Sequence, residues 1–99
     1  MKNQPTFKIS GKIWLWNGQA GWHFFSVPKK ISKDIKSITS HIRRGFGSVK
    51  VEAQIGKTKW RTSIFPSKEG EYLLPIKAQV RKVEKLKSNQ NSTVTITII

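Results

Sequence analysis

A strand, a proline, an amphipathic helix, a polar turn and a second strand follow one another twice in this chain, from Trp22 to Ile55 and again from Tyr72 to Ile99. In the first copy the aromatic, β-rich run Trp22 to Val27 is closed by Pro28. Ile31, Ile35, Ile38 and Ile42 then fall at steps of four, three and four, which gathers them on one face of a helix that ends before Gly45, while Lys29, Lys30, Lys33 and Lys36 project from the other. Val49, Val51, Ala53 and Ile55 alternate with Lys50, Glu52 and Gln54, the period of a half-buried strand. The second copy opens on a short strand, Tyr72 to Leu74, closed by Pro75, which also stands where proline suits a helix start. Ile76, Val80, Val83 and Leu86 share one helical face, Lys87 to Ser92 is polar, and Val94, Ile96 and Ile98 alternate with threonines in a final strand.

Two further segments complete the plan. Phe7, Ile9, Gly11, Ile13 and Leu15 alternate with Lys8, Ser10, Lys12, Trp14 and Trp16, and a turn over residues 17–21 pairs this strand with the Trp22 run as a hairpin. Gly56-Lys57 between Ile55 and the run Thr58 to Phe65 predicts a tight type II′ hairpin. A β-α-β half unit leaves one sheet face uncovered, and two such units bury that face by packing together. The expected fold is therefore mainly β with two short helices, a small closed or split barrel built from two β-α-β half units. At 99 residues it is a single domain, 1–99. Its core is expected to hold Ile31, Ile35, Ile38, Val80 and Val83 together with Val51, Ala53, Val94 and Ile96.

The chain offers little to catalysis. Without cysteine there is no disulfide, no thiolate zinc site and no cysteine nucleophile, and a reducing compartment, the cytoplasm, is the simplest home. The acids are Asp34, Glu52, Glu69, Glu71 and Glu84, scattered so that no pair converges, and neither His23 nor His41 has a second ligand at metal-binding spacing. We expect no enzyme activity, no metal and no cofactor. No stretch approaches the ~20 apolar residues of a membrane span, so no membrane partner is expected.

Charge points to the partner. Nineteen Lys and Arg against five acids give a net charge of +14. The cations are interleaved with Ile, Val, Phe and Trp, so they decorate a folded surface facing an anion. Lys29, Lys33 and Lys36 form an i, i+4, i+7 row, Lys77 and Arg81 an i, i+4 pair, and Arg43-Arg44-Gly45-Phe46-Gly47 joins two guanidinium forks to a glycine-flanked aromatic. Each has a plainer reading, as a solvated helix face or a helix exit. The functional expectation is DNA or RNA held mainly by phosphate contacts through these seven cations. Alternatives are a cleft for a small anionic or aromatic ligand, lined by Trp14, Trp22, Trp60, Arg61 and Tyr72, and a protein-interaction module, as monomer or homodimer. Trp14 and Trp16 share a strand face with Lys8 and Lys12, a pattern suited to base stacking. Core packing is nevertheless the expectation for most of the tryptophans.

Three ordered stretches carry a resemblance: Arg43 to Val51, Trp60-Arg61-Thr62-Ser63-Ile64-Phe65-Pro66, and Tyr72 to Arg81, with Trp14-Leu15-Trp16 and Gly21-Trp22 ahead of them. Together they resemble the bacterial domain of unknown function 1905 family over nearly the whole chain. The resemblance implies a double-split β-barrel, related in fold to the swapped-hairpin AbrB-type regulators and the MazE antitoxin, and it implies no activity. Ser88-Asn89-Gln90-Asn91-Ser92 departs from the Gly-Asp turn of the family and removes an acid.

Overall fold

Alternation decides which side of each strand is dry, and six strands with matched alternation close on one another. The computed structural model describes residues 4–16, 21–40 and 47–99. Within them run β1 (Thr6–Leu15), β2 (His23–Ser26), α1 (Lys29–Ile38), β3 (Val49–Ile55), β4 (Thr58–Pro66), β5 (Tyr72–Pro75), α2 (Ala78–Val83) and β6 (Asn91–Ile98). The strands form a closed barrel in the order β1-β2-β5-β4-β3-β6, with every neighbouring pair antiparallel. The mainly β expectation with two helices is met.

Registers place the inward residues in rows. Ile96 of β6 lies opposite Phe7 of β1 on one side and Ala53 of β3 on the other, and Ala53 in turn lies opposite Trp60 of β4. A small side chain at position 53 leaves interior space for the Trp60 indole, which is buried. Phe25 of β2, fully buried, contributes roughly 1.5–3 kcal/mol by leaving water. Room for its ring comes from Gly11, where a Cβ would stand 3.2 Å from the tip of Phe25. Ile35 of α1 and Val80 of α2 join the same buried cluster.

Each helix remains at one end of the barrel, because β2 and β3 run in opposite directions, as do β5 and β6. α1 closes the end where β2 finishes and β5 begins. There the buried Ser32 hydroxyl donates to the Val27 carbonyl at 2.9 Å and accepts the Tyr72 N–H at 2.9 Å. α2 closes the opposite end, where Thr58 at the start of β4 donates through Oγ1 to Glu84 Oε2 at 2.5 Å. Gly56, at φ +59, takes the first central position of the β3–β4 turn, where type II′ geometry demands a positive φ.

Two apolar positions depart from the expected core. Ile38 and Val83 are 42% and 60% exposed, whereas Ile31 is partly buried and packs against the core. In α2 the cause is length. Pro75 still pairs with Phe24, and the Ile76 N–H donates to the His23 carbonyl at 2.9 Å, so the chain remains in the sheet to Ile76 and the helix spans only Ala78–Val83. One and a half turns bury Val80 and leave Val83 in solvent. In α1 the buried side is Ser32, Ile35 and Thr39, and Ile38, the last helical residue, falls off that stripe. The expected continuation of this helix stops short, since Thr39 caps it and Thr39 and Ser40 form a turn, and Ile42 lies outside the described residues.

Candidate functional site

The lysine row of α1 survives intact. Ser32 and Ile35 turn into the barrel, which leaves Lys29, Lys30, Lys33 and Lys36 exposed. Opposite them is the β4–β5 turn, closed by the Gly70 N–H donating to the Ser67 carbonyl at 3.1 Å. Between helix and turn lies a concavity of about 550 Å³ lined by Lys29, Lys30, Ser32, Lys33, Lys36, Glu69 and Gly70. Four lysines and one glutamate thus border it, and each ammonium carries three donors. Like charges at i, i+4 cost a few tenths of a kcal/mol on a helix, a cost that an anion between them removes.

Lys77 and Arg81 stand elsewhere. They belong to the α2 end of the barrel, opposite α1, where the Arg81 N–H donates to the Lys77 carbonyl at 3.0 Å and the Arg81 guanidinium, through Nε, lies 3.5 Å from the Ile76 carbonyl. The expected cations therefore do not form one surface. Connectivity, invisible in helical spacing, separates Lys29, Lys33 and Lys36 from Lys77 and Arg81. Arg43 and Arg44 lie outside the described residues.

The expected five-residue cleft is divided in the same way. Trp60 and Tyr72 point into the barrel and are buried, and neither the Trp60 Nε1 nor the Tyr72 hydroxyl has a hydrogen-bond partner among the described residues. Arg61 is on the outer face of β4, where it lines a shallow depression of about 270 Å³ with Lys50, Thr62, Ser63 and Ile99. Only Trp14 and Trp22 come together. They line an open groove of about 370 Å³ with Trp16, Phe24 and Leu73.

That groove follows from register. Trp14 lies opposite Phe24 across the β1–β2 pair, with ring centroids 5.3 Å apart and planes at 37°. Two pairs further, the Trp16 N–H donates to the Trp22 carbonyl at 2.8 Å. Trp22 stacks on Phe24 with centroids 6.0 Å apart at 17°. The Trp14 indole is fixed by its Nε1 donating to Ser26 Oγ at 2.9 Å. Trp16 and Trp22 remain 47% and 51% exposed, so core packing holds for Trp60 and fails for these two. Trp16 shares the strand face of Trp14, as its spacing indicates, whereas Phe24 and Leu73 are additions that only the structure brings to the groove. The signal for Phe24 is parity, since it shares the face of Trp22.

Among the described residues no group of three His, Asp or Glu could hold a metal ion, and no helix is long and apolar enough to cross a membrane. No curated protein matches this sequence. The family model for Domain of unknown function (DUF1905) matches residues 10–97, from the middle of β1 to the penultimate residue of β6. The match takes in both helices and all six strands in whole or in part, and the chain belongs to the DUF1905 family.

Proposed function

We propose that this protein is a non-enzymatic module of the cytoplasm that binds nucleic acid by its phosphates, with the α1 concavity as the principal contact. The observation that carries this reading is a hollow bordered by four exposed lysines, Lys29, Lys30, Lys33 and Lys36, and a single acid, Glu69, in a chain of net charge +14. Ammonium groups on flexible stems suit phosphates in any sequence, so the contact positions a strand without reading it. A titration with duplex DNA at two salt concentrations tests it. Three to four phosphate contacts give a log-log slope of about −3 to −4, from about −0.9 per contact. Changing Lys29, Lys33 and Lys36 to alanine lowers that slope by about 3. Affinity indifferent to salt overturns the reading.

A second reading, a groove for a small aromatic ligand, is favoured by the space between Trp14, Trp16, Trp22, Phe24 and Leu73. It predicts saturable quenching of tryptophan emission by a small aromatic anion. We also read the barrel as double-split. β1 pairs with β6 through Lys12 and with β2 from Ile13, and β4 pairs with β3 through Ile64 and with β5 from Phe65. That double exchange of partners supports the two β-α-β halves.

A further inference from the structure

The outward side of β1 carries two chemistries in one line. Lys8, Ser10 and Lys12 come first, over the part of the strand paired to β6, and Trp14 and Trp16 follow on the same side over the part that meets β2. Successive members are two residues apart, about 7 Å at the usual strand rise. Beside the aromatic half, Phe24 and Trp22 extend the surface across β2, and Leu73 and Phe65 continue it across β5 and β4, where they lie opposite each other. Phe65 is exposed, as are Trp16 and Trp22. Both helices are held at the ends of the barrel by connectivity, and none of their residues lines the groove.

A contiguous exposed apolar tract on a small, highly charged domain marks a binding surface. We propose that this tract is a stacking platform for single-stranded nucleic acid, with bases laid on Trp16 and Trp22 and the backbone guided by Lys12 and Lys8. The proposal rests on the phosphate-binding reading above and adds the strand class to it. Charge complementarity selects the occupant. The cations that run into the aromatic tract call for an anionic polymer that also has flat apolar faces, and unpaired bases provide those faces. In a duplex the bases are stacked on one another and withheld from a flat outer wall. Phe24 backs the Trp22 indole and Ser26 fixes the Trp14 indole, so the rings are ordered before a base arrives, and little side-chain freedom is lost on binding.

The test compares three ligands: a short oligothymidylate, a hairpin duplex with the same number of phosphates, and heparin, a polyanion without bases. The oligothymidylate should quench tryptophan emission and bind about tenfold or more tightly than the other two, the range expected for one or two stacked bases. Trp16→Ala with Trp22→Ala should remove about tenfold or more of that affinity and leave heparin binding unchanged. Changing Lys29, Lys33 and Lys36 to alanine should weaken all three ligands. Equal affinity for single strand and duplex, or an oligothymidylate affinity that ignores the double tryptophan change, overturns the platform while leaving phosphate binding in place. If none of the three ligands binds, both readings fall. Should the double variant unfold, the unaltered protein still decides, because emission that is not quenched at saturating oligothymidylate overturns stacking. Concentration-dependent self-association, or binding to anionic vesicles, that the double variant abolishes would assign the tract to a second copy or to a lipid surface, and would also overturn the proposal.

Discussion

The Ser32 hydroxyl accepts the backbone N–H of Tyr72 across 40 residues of sequence, at 2.9 Å, while donating to the Val27 carbonyl. A single buried oxygen thus ties α1 to the start of β5 and to the end of β2. Ser32→Ala removes the acceptor and leaves the Tyr72 N–H buried without a partner. The expected loss is about 1–3 kcal/mol, read from the urea midpoint at constant slope. An unchanged midpoint would show that the tie contributes nothing.

Gly56 and Glu84 make a second pair whose coupling can be measured. A Cβ on Gly56 would collide with the Glu84 carboxylate, and the backbone there, at φ +59, already disfavours any other residue. Gly56→Ala should cost about 1–2 kcal/mol from the left-handed backbone alone, and more while Glu84 remains. Repeating the substitution on a Glu84→Ala background isolates the collision, and the cost should then fall toward the backbone value. Equal costs on the two backgrounds would mean that Glu84 swings away freely.

Val80 and Val83 sit three residues apart on α2 with opposite surroundings, 4% and 60% exposed. Val80→Asp buries a charge with no partner and should unfold the domain. Val83→Asp should stay within about 0.5 kcal/mol of the parent, as surface substitutions do. Circular dichroism melts of the two variants check both outcomes, and similar melts would restore Val83 to the core.

The Tyr72 hydroxyl is buried and has no partner among the described residues. Tyr72→Phe deletes only that oxygen, so stability should hold or rise by about 1 kcal/mol, the penalty for an unmade hydrogen bond. A clear fall in the melting temperature would contradict the geometry, since it would require a partner for the hydroxyl.

Local pattern was legible where one period has one meaning. Val49 to Ile55 and Val94 to Ile98 alternate apolar with polar, and their apolar members are inside. The Gly56-Lys57 turn was equally plain from its two residues. In β1 the parity is plain over Phe7 to Lys12, where Lys8, Ser10 and Lys12 alternate with apolar residues and glycine, and blurs at Ile13 and Trp14, which are both large and apolar. The answer came from Ile9 and Val94, which lie opposite each other and are buried, so that Ile13 follows Ile9 inward and Trp14 faces out. The cation rows were readable as rows. Their separation to opposite ends of the barrel was not, since it depends on which strands each helix joins, and no spacing within a helix encodes that.

β1 belongs to two ribbons at once, with its partner changing between Lys12 and Ile13. A strand shared in this way sets the phase of both. One residue inserted at the exchange would invert one half against the other, turning either Lys8 and Lys12 or Trp14 and Trp16 toward the interior. Outward side chains on β1 are thus open to substitution, while the count of residues between them is not. Variants with single-residue insertions or deletions here should be lost at folding, before any ligand is met.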